Sequence, residues 1–426
     1  MSEPIRPGAL ALRVARITGA AVLAGVRAGV LAAASPRGAR AERAAAELAR
    51  LAERLGGAFV KVGQLAGTRP DLVGPVVAGA LGRLHDGLPP MPPAQARLAV
   101  RRAFPRPPDG LAAAITGPPV ASGSIASVYR VRTGGRLLAL KVRRPDVGRV
   151  MAADLAVMNG FAALAERLPG LRRVPLTEIT GRLGRCLAAQ LDFAAEAANL
   201  ARMREHLAGF PDLVVPAVVP ELCGDGVIAM EYVEGLGHAS IEGVAAPARE
   251  AEVAALVRAV YHLLFVEGFV HVDLHQGNTY FLPDGRVVLL DAGFAFRLGD
   301  LARRRFTAFF GGMIRGDGES CADILRSTVR GAAGGRDDAA FRREVAALVR
   351  RNAGAAVRDF NLPAFCAELF NLQRRHGLYA EPEFVFPMLC LLSLDGLVKE
   401  HYPLMDFQME AAPFVMRSLL TEPEGP

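Results

Sequence analysis

Apolar residues recur at steps of three and four along most of the chain, the spacing that places them on one face of an α-helix. This pattern predicts helices over residues 42–104, 176–207 and 247–267, and later over about 300–313, 319–332, 339–356, 363–376, 384–400 and 407–420. Two stretches, 118–144 and 268–293, break the helical spacing with short β-rich apolar runs and turn residues. The sequence therefore predicts an α+β protein, with two groups of strands set into a mostly helical chain.

The stretch 268–293 carries the polar residues around which a site is predicted. Its sequence, GFVHVDLHQGNTYFLPDGRVVLLDAG, indicates a loop, a hairpin with a Pro-Asp-Gly turn, and a second loop. Asp273 precedes Asn278 by five residues, and Asn278 precedes Asp291 by thirteen. This spacing is typical of phosphotransfer sites, in which one carboxylate lies beside the nucleophile while an Asn and an Asp hold metal against the phosphates.

The residue types in this stretch suit that chemistry. Mg²⁺ prefers carboxylate, amide and phosphate oxygens, so Asn278 and Asp291 are the predicted metal ligands. Asp273 can orient a hydroxyl or water and accept its proton, and His271 is expected to brace the loop backbone. Two other interpretations stay open. One is a hydrolase metal cluster that uses both histidines of HVDLH but leaves Asn278 and Asp291 unexplained. The other is a polar loop between buried strands.

Lysine is rare in this chain, so the few positions that keep it are informative. Of 50 basic residues only Lys61, Lys141 and Lys399 are lysines, and a compact ammonium differs from the planar fork of arginine. Lys141 lies on the last of three strands predicted for 118–144, after a turn of small residues, ASGSIAS. We predict that Lys141 contacts nucleotide phosphates and that backbone N–H groups of the turn cover them. The turn residues concerned are Ala121, Ser122, Gly123, Ser124 and Ile125.

Such a lysine needs a carboxylate to orient it. Asp192, Glu196 and Asn199 are spaced by four and three within the helical segment 176–207, so they are expected to share one helix face. Glu196 is the predicted partner of Lys141.

The run GVIAMEYVEG at 226–235 predicts a buried strand that ends in a polar, Gly-terminated link. A link of this kind is expected to be a hinge between two lobes. Backbone groups of Glu231 and Val233 are predicted to hydrogen-bond an adenine edge there.

Charge and cysteine content limit the partners of the protein. The formal net charge is +7 at pH 7, which suits anionic partners such as phosphates and lipid headgroups. No Lys/Arg block or interleaved aromatic stripe argues for nucleic acid. The five cysteines are scattered without a CxxC pair, which favours reduced thiols in a cytosolic protein.

The first 50 residues are basic and partly apolar. They hold eight Arg against three Glu, which gives +5 of the net charge. The segment 17–34 is apolar except for Arg27, so it is marginal for a membrane span, which needs about 20 apolar residues. A helix lying on an anionic membrane surface and an ordinary helix packed on the protein are both compatible with this pattern.

Several motifs resemble, in order, those of the UbiB/AarF family of atypical protein-kinase-like proteins, which is linked to ubiquinone biosynthesis. They are KVGQ at 61–64, ASGSIASVY at 121–129, LALKVRRP at 138–145, QLDFAAEAAN at 190–199, MEYVEG at 230–235, HVDLHQGN at 271–278 and DAG at 291–293. The resemblance covers residues 50–300. It implies a bilobal protein-kinase-like fold with a helical N-terminal extension and a mostly helical C-terminal lobe.

The resemblance also implies a division of the chain into four parts. These are a basic N-terminal segment (1–50), a helical extension with KVGQ (51–115), a kinase-like N-lobe with a helical insert (116–235), and a helical C-lobe with the catalytic and metal loops (236–426).

Carried over by position, the resemblance makes Lys141 the phosphate contact, Glu196 its partner and Asp273 the catalytic carboxylate. It makes Asn278 and Asp291 the Mg²⁺ ligands. In the family the extension folds over the active site, and here it would contribute to a regulatory set formed by Lys61, Gly63, Gln64 and Asp192.

Some positions depart from the motifs of the family. Gln190 stands where the family has Glu, which changes the charge balance of the regulatory set. Ser122 and Gly123 replace alanines, and a glycine lets the turn approach phosphates more closely. Ala292 replaces the Phe of a DFG motif and removes an apolar packing unit.

The leading hypothesis is an ATP- or ADP-binding, Mg²⁺-requiring atypical kinase or ATPase that supports ubiquinone or other isoprenoid-lipid metabolism. It is expected in the cytoplasm, peripheral on the inner face of the membrane, with a lipid or lipid-biosynthetic proteins as partners. One alternative is a small-molecule phosphotransferase of the aminoglycoside or choline kinase type, which does not predict KVGQ. Another is a nucleotide-binding scaffold for a lipid-biosynthetic complex. Analogy at the level of the fold does not choose among the three.

Overall fold

The computed structural model gives the protein as two compact units. The first unit comprises Met1–Ala195 and Val219–Tyr232, and the second comprises Glu196–Val218 and Val233–Pro426. The residues described are 7–33, 36, 39–56, 58–67, 73–84, 89–167, 176–236, 244–272, 274, 277–330, 338–352 and 360–420. The four-part division expected from the sequence stays a prediction.

Up to residue 231 the described chain alternates between helices and short strands. In order, the elements are α1 (Pro7–Ala33), α2 (Arg40–Leu55), α3 (Ala58–Gly67), α4 (Pro75–Leu81), α5 (Pro93–Arg102), β1 (Ala121–Ser122), β2 (Ala126–Thr133), β3 (Arg136–Arg143), α6 (Val147–Ala165), α7 (Leu176–Ala189), α8 (Phe193–His206), β4 (Leu213–Val214) and β5 (Val227–Glu231).

The sheet of the first unit is antiparallel, with strand order β1-β2-β3-β5. The predicted Gly-Gly hairpin joins β2 to β3, with φ of +55° at Gly134 and +74° at Gly135. Side chains with a Cβ avoid these angles, which explains the two glycines in this turn. One side of the sheet is buried against α5 and the segments around it, in a core that includes Met91, Val100 and Leu140.

A buried ion pair fixes the start of α1. The Arg13 guanidinium donates from Nε and Nη2 to the two carboxylate oxygens of Asp154 in α6, each at 2.8 Å. Its Nη2 also donates to the Leu55 carbonyl at the end of α2, at 3.3 Å, and its carbon lies 5.9 Å from the ring centroid of Phe59 in α3. Asp154 is 0% exposed, and its hydrogen bond raises the pKa of Arg13. One arginine therefore connects α1 to three other helices of the unit.

The rest of α1 has one packed face and one exposed apolar face. Ile17 and Ala24 are buried in the first unit. The opposite face is a stripe formed by Val22, Val26 and Val30, which are 62, 60 and 64% exposed, respectively. By length and composition alone, α1 and α6 each contain a 19-residue stretch that is long and apolar enough to cross a membrane.

The second unit contains the strands predicted for 268–293 and the C-terminal helices. Beyond residue 232 its elements are α9 (Ala246–Tyr261) with a π-helical turn (His262–Val266), β6 (Phe269–His271), β7 (Thr279–Phe281), β8 (Val287–Leu289), β9 (Ala295–Arg297), α10 (Asp300–Arg315), α11 (Gly318–Ser327), β10 (Val329–Arg330), α12 (Asp338–Asn352), α13 (Leu362–Arg375), β11 (Tyr379–Ala380), α14 (Pro382–His401) and α15 (Phe407–Leu420). This unit also contains β4 and the part of α8 that begins at Glu196.

Short strands and an aromatic core support the site segment of the second unit. β7 and β8 form the predicted antiparallel hairpin, β4 pairs with β8 in parallel, and β6 pairs with β9. Phe294 and Phe296 pack edge-on against Phe386 of α14, with ring centroids 5.3 and 5.2 Å apart. These contacts anchor the chain that follows Asp291 to the helical core.

Three expectations about the elements are corrected. The segment 176–207 is two helices rather than one, because Asp192 is the N-cap of α8 and accepts a hydrogen bond from the Ala195 N–H at 3.0 Å. The first strand begins later than predicted, at Ala121, so the turn between β1 and β2 is only 123–125. α9 is buried on nearly all sides instead of being amphipathic, since α14 and α15 both pack on it.

All five cysteines lie in the described part of the chain and are free thiols. Burial raises the pKa of Cys321 and of Cys390 to about 12, and it also raises the pKa of Cys366. The thiolate is the reactive form of cysteine, so these three buried side chains are chemically inert at neutral pH.

Candidate functional site

The predicted phosphate turn is a tight loop at the edge of the first unit's sheet. It is closed by a hydrogen bond from Gly123 N–H to the Ala126 carbonyl, at 2.9 Å. Ser124 is buried, whereas Ala121 and Ser122 are exposed. A Cβ built on Gly123 would have nothing within 4 Å, so the backbone here faces open space. The turn therefore has free space beside Gly123, and its contact with phosphates stays a prediction.

Lys141 lies in the middle of the sheet, opposite Val128 of β2 and Ile228 of β5. Its Nζ is 5.4 Å from the ring centroid of Phe193, the first residue of α8. Arg143 lies 5.8 Å from the same centroid and donates to the Leu191 carbonyl at 3.0 Å. Cation–aromatic contacts of this kind hold a lysine stem in a fixed direction.

The KVGQ segment lies on α3 and packs on the segment that ends α4. A Cβ on Gly63 would collide with the Leu84 side chain, and the Gln64 Nε2 donates to the Leu84 carbonyl at 3.1 Å. The space at Gly63 is thus taken by a leucine of the extension itself. Lys61 is partly exposed, and its predicted proximity to Asp192 stays a prediction.

Asp192 has a role that its spacing did not predict. It precedes α8 and caps it, so it does not share a helix face with Glu196 and Asn199. Only the latter two belong to the helix body, at positions three apart.

In the second unit the β7–β8 hairpin places the backbone of Asn278 close to that of the residue before Asp291. The Leu290 N–H donates to the Asn278 carbonyl at 3.0 Å, which places Asn278 across from the residue that precedes Asp291. The His271 Nε2 contacts the Asp291 carbonyl, so this histidine braces the loop backbone as expected. Asp273 lies outside the described residues, as does His275, the second histidine of the alternative metal cluster.

Two carboxylates converge at Gly293. The Gly293 N–H donates to Asp291 Oδ1 at 2.7 Å. A Cβ built on Gly293 would lie 3.1 Å from the same oxygen and 3.3 Å from the Glu196 Oε2. Glu196 is only 2% exposed. Carboxylate oxygens are among the ligands that Mg²⁺ prefers, so these two side chains could hold such an ion.

Asn199 of α8 holds the loop that follows Asp291, the predicted metal loop. Its Nδ2 donates to the Ala292 carbonyl at 3.3 Å and to the Ala295 carbonyl at 2.9 Å. Ala292, which stands in place of the Phe of DFG, is fully buried. The loop after Asp291 is thus positioned by an amide on one side, in addition to the aromatic contacts of the segment that follows.

The C-terminal end of α8 is also tied to the site segment. The His206 Nδ1 is 3.0 Å from Glu267 Oε2, and the His262 Nε2 is 3.4 Å from Glu267 Oε1. Burial lowers the pKa of His262, although the Glu267 carboxylate acts in the opposite direction. Glu267 comes just before β6, so α8 contacts the site segment both before and after its polar loops.

The sequence pattern of the ABC1 atypical kinase-like domain matches residues 83–325, which is more than half of the chain. The chain belongs to the ABC1 atypical kinase-like family. This confirms the family resemblance and the kinase-like α+β fold expected from the sequence. The ABC1 domain includes Lys141, Glu196, Asn278 and Asp291, whereas KVGQ lies before its first matched residue.

Similar proteins span most of this ABC1 family member. An uncharacterized protein of Synechocystis sp. is 27% identical over 365 residues, or 82% of this chain and 88% of that protein. The Probable protein kinase UbiB of Aeromonas salmonicida is 28% identical over 383 residues, which is 88% of this chain and 70% of that protein. A Mycobacterium tuberculosis protein solved in complex with erythromycin aligns over 82% of this chain and 93% of its own, with 19% identity and a TM-score of 0.47.

Sequence reasoning about this ABC1 domain missed the positioning role of three residues. Asn199 was placed on the correct helix, but its two carbonyl partners come from a loop about ninety residues away. Arg144 belongs to the motif LALKVRRP, but the motif carried no sign of its partners at Pro89, Ser122 and Gly123. The local sign of Phe294 was its place in the apolar run GFAF, which begins two residues after Asp291.

The role of Asn199 can be tested with a substitution of similar size. In Asn199→Leu both carbonyls lose their donor, so the metal loop should loosen. We expect the Mg²⁺ concentration for half-maximal ATP turnover to rise about tenfold, in line with a loss of roughly 1–2 kcal/mol from two hydrogen bonds. Arg202→Ala, an exposed position on the same helix, is the matched control. An unchanged Mg²⁺ requirement in Asn199→Leu would contradict the role.

Proposed function

We propose that this protein is a Mg²⁺-requiring, ATP-dependent atypical kinase or ATPase that supports ubiquinone or other isoprenoid-lipid metabolism. The observation that carries the proposal is the convergence of the Glu196 and Asp291 carboxylates at Gly293. The backbone of Asn278 pairs with that of Leu290, the residue before Asp291, and in this proposal the Asn278 amide supplies a neutral oxygen. Two carboxylates close to one backbone position, one of them on the buried Glu196, support a site that holds a cation.

In this proposal each group has a defined task. Asn278 and Asp291 would hold Mg²⁺, which neutralises charge on the phosphates when bound. Lys141 contacts the phosphates, with Glu196 as its partner. Asp273 orients the incoming hydroxyl or water and takes its proton. The turn 121–125 covers the phosphates with backbone N–H groups, and the link at Glu231 and Val233 holds the adenine edge.

We further propose that the protein works on the inner face of a membrane, as a peripheral protein of the cytoplasm. Support comes from α1, whose exposed stripe of three valines lies on the same helix as the exposed Arg16 and Arg27. An apolar face flanked by basic residues binds anionic lipid surfaces. The similarity to a protein named as a probable protein kinase UbiB supports the link to isoprenoid lipids.

The test is Mg²⁺-dependent ATP turnover by the purified full chain, with and without anionic vesicles that contain an isoprenoid phenol. We expect turnover to rise with the vesicles. We also expect it to fall about a hundredfold or more in Lys141→Ala and Asp273→Asn. The double variant Val22→Ser/Val26→Ser should keep the vesicle-free rate and lose the stimulation, because it alters only the exposed stripe.

Other outcomes would point to the alternative functions. Tight nucleotide binding without turnover under any condition would favour a nucleotide-binding scaffold. Transfer of phosphate to a soluble alcohol would favour a small-molecule phosphotransferase. Turnover that survives in both Lys141→Ala and Asp273→Asn would overturn the site assignment.

A further inference from the structure

A short segment at residues 89–91, called the strap below, is hydrogen-bonded to the strands around the phosphate turn. The Met91 N–H donates to the Ser127 Oγ at 3.4 Å, and the Tyr129 hydroxyl donates to the Met91 carbonyl. Met91 and Tyr129 are both buried. The strap follows the helical extension that carries KVGQ and precedes α5, so it is the connection between the extension and the sheet.

Arg144 bridges the strap and the turn. Its Nη2 donates to the Pro89 carbonyl at 2.8 Å and to the Ser122 Oγ at 2.9 Å. Its Nε donates to the Gly123 carbonyl at 2.9 Å, and its own N–H donates to the Ile125 carbonyl at 2.8 Å. One side chain thus contacts the strap, the last residue of β1 and the first residue of the turn.

The hydroxyl groups close this network. The Ser122 and Ser127 Oγ atoms are 2.8 Å apart, and Ser127 is the residue that accepts from the strap. Two chains of hydrogen bonds therefore connect the strap to Ser122, one through Arg144 and one through Ser127. A displacement of the strap would change the position of Ser122 through both. A guanidinium suits this task because its planar fork presents several donors in fixed directions, whereas an ammonium acts as a point charge.

We infer that Arg144 is a positioning residue that couples the strap, and with it the helical extension, to the turn that covers the nucleotide phosphates. The inference rests on the proposed nucleotide site and adds a means of regulating it. When the strap is in place, Arg144 holds the Ser122–Gly123 backbone in one conformation. Because coupling between two sites is reciprocal, nucleotide binding at the turn must also order the strap.

The chain offers a sensitive reporter for this coupling. In the sequence LPPMPP the four prolines have no N–H, so between residues 89 and 93 only Met91 can exchange an amide hydrogen. The Gly123 N–H reports on the turn itself, and the Leu140 N–H in the centre of the sheet reports on global opening.

The experiment compares hydrogen exchange at these amides with Mg²⁺-ATP affinity in the full chain. The variants are Arg144→Lys, which keeps the charge but not the fork, and Ser122→Ala, which removes one acceptor with little change in volume. Arg132→Ala removes one charge at an exposed position of β2 and is the control.

In Arg144→Lys without nucleotide we expect the amides of Met91 and Gly123 to exchange about tenfold faster than in the wild type, and the amide of Leu140 to exchange at the wild-type rate. In the control Arg132→Ala all three amides should exchange at the wild-type rate. The dissociation constant for Mg²⁺-ATP should rise about tenfold. Nucleotide should slow exchange at Met91 in the wild type and no longer do so in Arg144→Lys. Ser122→Ala should show the same pattern at smaller amplitude, about threefold.

Two results would overturn the inference. One is an amide exchange rate at Met91 that equals the wild-type rate in both Arg144→Lys and Ser122→Ala. The other is faster exchange at Met91 that is always accompanied by faster exchange at Leu140, which would mean general destabilisation. If the wild type binds no nucleotide at all, the proposed function fails, but the joint change of Met91 and Gly123 without nucleotide still decides whether Arg144 couples strap and turn.

Discussion

Asp291→Asn should lose Mg²⁺-dependent ATP turnover by a factor of a hundred or more while the protein stays folded. The substitution removes the charge that the proposed metal site needs and keeps the shape of the side chain. Asn can still accept the 2.7 Å hydrogen bond from the Gly293 N–H through its Oδ1, so the turn that Asp291 makes with Gly293 is preserved. Loss of one preorganised electrostatic contact in a catalytic site typically costs about 10²–10³ in rate.

A control for this variant lies on the same hairpin. Asp284→Asn makes the same chemical change at an exposed position that is ion-paired with the nearby Arg286 in the turn between β7 and β8. Such surface pairs contribute about 0–1 kcal/mol, so turnover should stay within twofold of the wild type. Wild-type turnover in Asp291→Asn, measured over a range of Mg²⁺ concentrations, would show that the metal ligands are elsewhere.

Arg13→Ala should lower the free energy of unfolding of the first unit by about 3–5 kcal/mol, the usual loss when one partner of a buried ion pair is removed. The reason is the location of Asp154, whose carboxylate is 0% exposed and accepts two hydrogen bonds from Arg13. Asp154→Ala should cost less, because the Arg13 side chain is 23% exposed and keeps the Leu55 carbonyl as an acceptor.

Two further variants separate the ion pair from simple loss of packing. Arg16→Ala removes an exposed arginine from the same helix and should change stability by less than about 0.5 kcal/mol. In Arg13→Met/Asp154→Leu no charge is left buried, so most of the lost stability should return. Urea unfolding followed by circular dichroism measures all four variants. Equal stability of Arg13→Ala and Arg16→Ala would contradict the role of the pair.

Local patterns predicted the regular elements well. The six helices expected beyond Asp300 are present and begin within two residues of the predicted positions. The prediction of helices alone is corrected at 319–332, because that helix ends at Ser327 and β10 (Val329–Arg330) follows and pairs with β11. The Pro-Asp-Gly and Gly-Gly turns fixed both hairpins, since turn chemistry is read from two or three adjacent residues.

Contacts between distant segments were not predictable in this way. A helical period runs through 176–207, but Asp192 interrupts it by capping α8 with its own side chain. The partners of Arg144, Asn199 and Arg13 lie 22, 96 and 141 residues away, respectively. Hydrogen bonds of this range depend on how the elements pack, and a single sequence carries no periodic signal for them.

The separation of Arg13 and Asp154 in the sequence also has a consequence for the newly made chain. The two residues are separated by 141 positions, so the ribosome adds the aspartate about 7–28 s after the arginine at typical rates of about 5–20 residues per second. Throughout that interval Arg13 lacks the carboxylate that it pairs with in the folded protein, so α1 cannot reach its final packing before α6 has been made.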